Sequence, residues 1–442
     1  MAKLNLGFDD TDSPKGGCTS YIAALLVEKL SQMDISFTDY PNLIRLNPNV
    51  PWKTRGNGAL CFRINCHKEN MDTIKTTVLD AIEENAELSY SGTDPAVVFL
   101  ADEIPKEIKD FAKKAEQGIV KKEEALRLIK LFDAEAVEFK KGRGIIGGLA
   151  AIGEELNEDH TFELIAYRTP ENRGNPRRVQ TSSVKEMDAN MSLMFSNLDP
   201  ETGRILITPR GPDPILYGVR GEHPEILKQS HEMIRLDEPV ERWVIFRTNQ
   251  GTDAHLRRVS AVDEIQPYNP VVVEGLVSKE PRVIQGGHVI FSLKDETGEV
   301  DCAAYEPTGK LNKISRTLNV GDCIKVFGGV RHSSSRHQLT INLEKIRILE
   351  LAPKVFFVNP RCPKCEKRMK SMGRNQGLRC EKCGFRSSQL KKLQVEEKRK
   401  LKKGKLYITA LRSQRHLTKP QRRYGREKRG TLEKMIENWH FP

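Results

Sequence analysis

Hydrophobic positions change their period along the chain, and three textures result. Over the first 255 residues short apolar runs alternate with helical segments. Leu4, Leu6 and Phe8 alternate with polar or small residues and predict a strand, and Tyr21 to Leu30, apolar at i, i+3 and i+4, predicts a helix. Strands at Ser36–Leu46 and Ala59–Asn65 and a helix at Asn70–Glu84 follow, a β-α-β-β-α order of the ferredoxin-like kind. Pro95–Leu100, Thr161–Arg168 and Glu241–Arg247 read as further strands, and Lys106–Gln117, Lys121–Phe132 and Pro224–Ile234 as helices. From Asn269 the pattern is all-β, with strands at Val271–Lys279, His288–Lys294, Val300–Glu306, Asp322–Gly329 and His337–Ile348. A short helix at Lys310–Leu318 falls between the third and fourth, which is the rhythm of an OB barrel. Beyond residue 390 the period fades into a basic tail.

Composition narrows this picture. A chain of 442 residues should form three or four domains. It has no apolar run of about 18 residues and no basic segment leading into an apolar stretch near its start, which argues against a membrane span and a signal peptide. Nine cysteines, five of them scattered, suit a reducing interior better than a disulfide framework. The net charge of +12 is concentrated: Lys391 to Gly430 holds sixteen Lys and Arg against three Glu, a local +13, which points to a polyanionic partner for that end.

Candidate chemistry begins at Gly7–Ser20, GFDDTDSPKGGCTS. A strand ends in Asp9, Asp10 and Asp12, a turn through Lys15, Gly16 and Gly17 follows, and a helix starts at Thr19. Hard carboxylate oxygens suit Mg²⁺ shared with phosphates, and backbone N–H groups at a glycine-flanked helix start favour anions. Asp in a turn and Thr as an N-cap are ordinary, yet that explains one such residue rather than three acids together. No GxxxxGK[ST] loop is present. The loop Asn47–Gly58 carries Trp52, Lys53 and Arg55, of which the two cations can clamp phosphates. Lys141–Gly153 reads as a glycine-rich turn running into small apolar residues, which could present backbone N–H groups to a ligand or equally be a close-packed helix start. Between 141 and 255, Asp213, Glu222, Asp253 and Tyr217 suit a small cationic ligand, since carboxylates fork onto a guanidinium and aromatic faces stack on it. Cys362, Cys365, Cys380 and Cys383 form C-x₂-C-x₁₄-C-x₂-C, the spacing of a structural Zn²⁺ ribbon. Beside an OB barrel and a zinc ribbon, the basic tail reads as an RNA-backbone contact.

Gly7–Ser20, RLNPNVPWKTRGNGA (Arg45–Ala59), GRGIIGGLAAIG (Gly142–Gly153) and ERWVIFRTNQGTDAHL (Glu241–Leu256), with the OB and zinc-ribbon regions after them, closely resemble the archaeal isoleucine-tRNA 2-agmatinylcytidine synthetase family over essentially the whole chain. The resemblance implies replacement of the 2-oxo group of the wobble cytidine by agmatine, in the isoleucine tRNA with anticodon CAU, so that AUA is decoded. ATP would yield AMP, diphosphate and phosphate, through phosphorylation of the cytidine O2 and of an enzyme threonine that falls on Thr19. The family's acidic motif falls on Asp9, Asp10 and Asp12. The implied fold class is multidomain α/β plus all-β. An ATP-binding, kinase-like domain would take 1–140, a ferredoxin-like agmatine-binding domain 141–262, the OB-fold 266–352, the zinc ribbon 358–390 and the basic tail 391–442. ATP, Mg²⁺ and structural Zn²⁺ are the implied cofactors, agmatine the co-substrate and the tRNA the partner. No obligate protein partner is evident, and a cytoplasmic location is expected. A non-enzymatic single-strand binder is the alternative, though it leaves residues 1–255 without a task. A lysine-using route would carry an SGGxDS loop, which is not present.

Overall fold

Residues 1–335, 337–431 and 434–442 are described by the computed structural model. The α/β region is one plan used twice. The first copy runs β1 (Ala2–Asp9), α1 (Thr19–Ser31), β2 (Ile35–Phe37), β3 (Asn42–Arg45), β4 (Gly58–Cys66), α2 (Met71–Asn85) and β5 (Ala96–Ala101). The strand expected over 36–46 is divided, because its two pieces pair with opposite ends of β4. Helices α3 (Lys106–Gln117) and α4 (Lys122–Leu131), strand β6 (Glu135–Glu138) on the edge of β5, and helix α5 (Ile145–Gly153) complete this part. The second copy runs β7 (Thr161–Arg168), α6 (Thr181–Asn190), β8 (Met194–Phe195), β9 (Ile215–Gly221), α7 (Pro224–Met233) and β10 (Val240–Thr248). Both are β-α-β-β-α-β units, with strand orders β5-β1-β4-β3 and β10-β7-β9-β8, the split ferredoxin-like arrangement. They join edge to edge where β3 runs parallel to β10, Asn42 beside Arg247 and Leu43 beside Thr248.

The pleat of β1 sorts its residues between two layers. Leu4, Leu6 and Phe8 pack under α1, which buries Ile22, Ala23, Leu26, Val27 and Leu30 on one stripe. Gly7 and Asp9 face the other way, onto α5. The glycine-rich segment is thus the close-packed helix start of its two readings, and its glycines are there because backbone meets backbone. A Cβ on Gly7 would stand 2.1 Å from the Gly148 carbonyl oxygen, and one on Gly147 2.0 Å from Asp9 Oδ2. Gly7→Ala should therefore cost about 1–3 kcal/mol, the range for overpacking a core, read as a lower midpoint in urea unfolding with an unchanged slope.

Strands β11 (Arg257–Arg258), β12 (Pro270–Val283), β13 (Val289–Lys294), β14 (Glu299–Ala304), β15 (Cys323–Arg331) and β16 (Thr340–Glu350), with α8 (Lys310–Ser315), form the expected OB barrel. Pairing of β12 with both β13 and β15, and of β14 parallel to β16, closes it. A two-stranded ribbon of β17 (Val355–Val358) and β21 (Leu393–Glu396) leads out to the small sheet β18 (Lys370–Ser371), β19 (Leu378–Arg379) and β20 (Arg386–Ser387), which holds the four cysteines. Sγ atoms lie 3.5 Å apart for Cys362 and Cys383 and 3.3 Å for Cys365 and Cys380, near the roughly 3.8 Å edge of a tetrahedral Zn–thiolate site. No described helix is long and apolar enough to cross a membrane.

The tail is not a free arm: from Arg399 on it is a strap over the protein's own seams, while residues 391–398 lie exposed on the surface. Leu401 and Tyr407 enter the barrel core, and β22 (Leu406–Ile408) adds to β16. Beyond that, Gly251 and Asp253 donate their N–H groups to the carbonyls of His416 and Leu417, and β23 (His440–Phe441) ends on β10. Its cations are counter-charges for internal acids: Arg399 pairs with Asp322 at 2.6 Å, Arg412 with Asp199 at 2.9 Å, and Arg422 with Asp188 at 2.8 Å. Arg423, wholly buried, lies 2.8 Å from both Asp159 and Glu222.

Candidate functional site

A cavity of about 400 Å³ opens where the two α/β units meet. Its floor comes from the end of β1 and the start of α1, its roof from the loop between β3 and β4, and its far wall from β7, β9 and the tail residue His416.

At the acidic end the three aspartates have three different settings. Asp9 lies against Gly147, and burial, then the adjacent Asp10, push its carboxyl well above the ordinary range. Asp10 is raised to about 6 by burial, against the pull of Arg143, whose Nε donates to it at 3.0 Å. Asp12 accepts from Thr54 Oγ1 at 2.7 Å and from Arg55 Nε at 2.8 Å. The three aspartates do not form a closed ligand set by themselves, which Mg²⁺ shared with phosphates does not require. Among the described residues, the only three or more His, Cys, Asp or Glu ligand atoms gathered within 4.8 Å are the four cysteines. The donors themselves remain hard oxygens of the kind Mg²⁺ takes.

Thr19, the first residue of α1, borders the cavity, and its hydroxyl is 3.0 Å from that of buried Thr11. Lys53 and Arg55 also line it. Arg55 is fully engaged, reaching Asp12, Asp213 at 3.2 Å, and the Gly17 carbonyl at 2.5 Å. Lys15, Gly16 and Gly17 are not in the lining; they form a turn closed by the Ser13–Gly16 bridge, with Lys15 exposed. The glycine at 17 is required there, since its φ is +72° and a Cβ would meet Glu87 at 2.7 Å.

Of the four residues expected to hold a cationic ligand, only Asp213 reaches the cavity. Glu222 is taken by Arg423 and Lys428. Asp253 accepts from Lys345 of the barrel and from the Lys419 N–H, in the same seam where Glu344 meets His255 at 3.2 Å and Thr418 at 2.6 Å. Tyr217 is buried in the core under α7 with its hydroxyl on His231. Each is a charge or hydroxyl already satisfied by the chain.

The far wall holds residues the sequence reading did not single out. Glu163 on β7 accepts from Arg220 Nε at 2.9 Å and from Gln250. His416, from the strap, bonds Gln250 Oε1 at 3.0 Å through Nδ1. The charge of Arg45 first, then burial and Arg220, hold this imidazole well below its usual pKa and so uncharged near neutrality. No spacing pattern marks these positions, because each belongs to a different element.

Behind the roof, wholly buried Glu116 on α3 accepts from Asn249 Nδ2 at 2.7 Å, and burial, with Glu154 next, raises its carboxyl to about 8. A carboxyl raised from 4.5 to about 8 on folding contributes stability that is full below about 4.5 and is lost as pH rises towards 8. The melting temperature of the natural protein should thus fall relative to Glu116→Gln between pH 5 and pH 8. Parallel melting curves across that window would show that Glu116 does not carry this linkage.

Comparison with known proteins agrees with this layout along the whole chain. Residues 5–141 match the TiaS TCKD domain, 142–255 the TiaS FLD domain, 271–349 an OB-fold nucleic acid binding domain and 359–401 the TiaS C-terminal zinc ribbon domain. The isoleucine-tRNA 2-agmatinylcytidine synthetase TiaS of Staphylothermus marinus is 42% identical over 437 residues, covering 96% of this chain and 94% of that protein. A crystal structure of apo TiaS, an isoleucine-tRNA agmatidine synthetase, superposes with a TM-score of 0.86 at 39% identity, covering 95% of this chain and 97% of that one. A complex of TiaS with its isoleucine tRNA, AMPCPP and agmatine superposes at 0.82 with 36% identity over 95% and 97% of the two chains.

Proposed function

The chain belongs to the TiaS family of isoleucine-tRNA 2-agmatinylcytidine synthetases, and from that premise we propose that its cavity joins agmatine to the wobble cytidine of the CAU-anticodon isoleucine tRNA, with ATP consumed. The protein is a C–N ligase, an RNA-binding enzyme with a structural zinc ribbon, and a cytoplasmic place among tRNAs follows from that task. One observation supports the reading above the rest: the junction of the two units brings a hydroxyl, Thr19, an acidic cluster and Lys53 into one cavity with Glu163 and Asp213 from the second unit.

The chemistry asks for such a junction. Cytosine O2 is a poor leaving group, so an amine does not displace it at neutral pH. Transfer of the terminal phosphoryl group of ATP makes the O2–P bond and breaks the bond from that phosphorus to its bridging oxygen, which leaves with the electron pair on the remaining nucleotide. The agmatine nitrogen then attacks C2, the C2–O2 bond breaks, phosphate departs with the electron pair, and the nitrogen gives up its proton. Phosphoryl transfer needs positioning and charge neutralisation more than covalent work. Thr19, held by Thr11, is the hydroxyl that accepts a phosphoryl group. Asp9 and Asp10 are the carboxylates that would hold Mg²⁺, which when bound neutralises phosphate charge. Asp213 is the one of the four acids and aromatics that borders the cavity, and since it is paired with Arg55 and Arg177 it would meet the guanidinium of agmatine by exchanging a partner. The wobble base must leave its stack to enter, as in other base-modifying enzymes.

Purified protein with Mg²⁺-ATP, a CAU-anticodon isoleucine tRNA transcript and radiolabelled agmatine or lysine in parallel tests the proposal. Label from agmatine alone is expected in the tRNA. Tight tRNA binding with neither label incorporated would return the protein to the class of RNA-binding modules.

A further inference from the structure

Five cationic side chains line the cavity, and three of them are already matched. Arg55 is held by Asp12 and Asp213, Arg143 by Asp10, and Arg220 by Glu163. Lys53 reaches only a carbonyl, that of Val50, at 3.3 Å. Arg45 is the exception among the arginines. Its guanidinium makes no ion pair and no hydrogen bond to a described residue, and its Nε is buried without a partner.

A desolvated guanidinium that feels the Glu163 carboxylate without touching it, that carboxylate being paired with Arg220, is costly, and a chain free to move would turn it to water. This one is fixed from behind and from both sides. The Arg45 N–H donates to Asn249 Oδ1 at 2.8 Å, and Asn249 Nδ2 donates to the Arg45 carbonyl at 2.9 Å and to Glu116 at 2.7 Å. Gly56 and Gly58 make room for the guanidinium: a Cβ on either would stand 2.8 Å from Nη1. The neighbouring His416 is uncharged, so it neither competes for an anion nor needs one.

We propose that Arg45 is an anion-binding residue of this cavity and grips phosphoryl oxygens with its guanidinium fork, the service that Arg55, locked between two carboxylates, does not give. The assignment rests on the phosphoryl-transfer reading of the cavity. The oxygens belong either to the bound nucleotide or to the RNA backbone at the wobble position, and the same chemistry serves both.

Full-length Arg45→Gln and Arg45→Lys are titrated with Mg²⁺-AMPCPP in one arm and with the CAU-anticodon isoleucine tRNA transcript in the other. Arg45→Gln is expected to lose about tenfold or more in affinity, the scale of a charge-assisted hydrogen bond. Loss in the AMPCPP arm assigns the nucleotide phosphates, and loss in the tRNA arm assigns the backbone phosphates. Arg45→Lys should recover part of the loss, since a point charge replaces a fork. Without ligand, Arg45→Gln should melt no lower than the natural protein, because an uncompensated charge is gone. Unchanged affinity in both arms overturns the assignment, and so does a lower melting temperature that accounts for the loss while Arg45→Lys recovers nothing. Natural protein that binds AMPCPP and incorporates agmatine while Arg45→Gln does both equally well overturns Arg45 alone. Natural protein that does neither overturns the phosphoryl-transfer reading, and this assignment falls with it.

Discussion

Arg423→Met is expected to destabilise the protein by about 3–5 kcal/mol, the loss typical when one partner of a buried ion pair is removed. The natural side chain is wholly buried, donates Nε to Glu222 at 2.8 Å and Nη1 to the Gly251 carbonyl at 2.8 Å, and pairs with Asp159 at 2.8 Å. Methionine fills much of the volume and meets none of those oxygens, so buried Glu222 and Asp159 lose their shared cation and keep only Lys428 and Lys419. Asp159 is held below its ordinary pKa by the hydrogen bonds and charges of Arg423 and Lys419 working against burial, so the loss should be larger at pH 7 than near pH 3. The sign follows from a depressed carboxyl pKa: its stabilisation is full above the unfolded value and fades on acidification. Urea titrations at the two pH values measure it. A cost below about 1 kcal/mol would place the pair among weakly coupled surface bridges.

Thr19→Val is expected to remove both self-phosphorylation and agmatine incorporation, the latter by about a thousandfold or more, as when a covalent acceptor is deleted from a cooperating set. Valine keeps the shape, so the fold should survive with the loss of one hydroxyl–hydroxyl contact to Thr11. Thr19→Ser supplies the control, since it retains an acceptor and should retain much of the activity. Incorporation of γ-labelled phosphate into the valine variant at the natural level would remove Thr19 from this role and leave it a plain helix start.

Features with a short period or a fixed spacing were legible before any coordinates. Strand β1 and its acidic end, the stripe of α1, the five barrel strands and the four cysteines each declare themselves within about twenty residues. Helix α5 was legible only as one of two readings, because its glycines lower helix propensity and only the backbone of β1 across from it explains them. Glu222 and Asp253 were misplaced for a different reason. A carboxylate in a loop says that a cation will face it, and nothing local says whether that cation comes from a ligand or from the same chain 92 to 201 residues away. In the basic tail, likewise, the charge density was legible, but nothing local marked which of its cations answer acids of the same chain, as Arg399, Arg412, Arg422 and Arg423 do. Arg45 stood in a motif quoted for its Lys53 and Arg55, yet only geometry separates the cation left free from the ones already paired.

The strap has a consequence for how the protein is made. Strand β10 takes β3 along Arg247 and Thr248, but along Trp243 and Val244 it takes β23, at the end of the chain. A ribosome building the protein at about 5–20 residues per second releases the N-terminal units long before the segment that covers them. The cavity wall at His416 and strand β23 therefore form only once the strap has been made, and a chain cut just after residue 401 would keep both α/β units, the barrel and the zinc ribbon while losing His416 from the cavity wall.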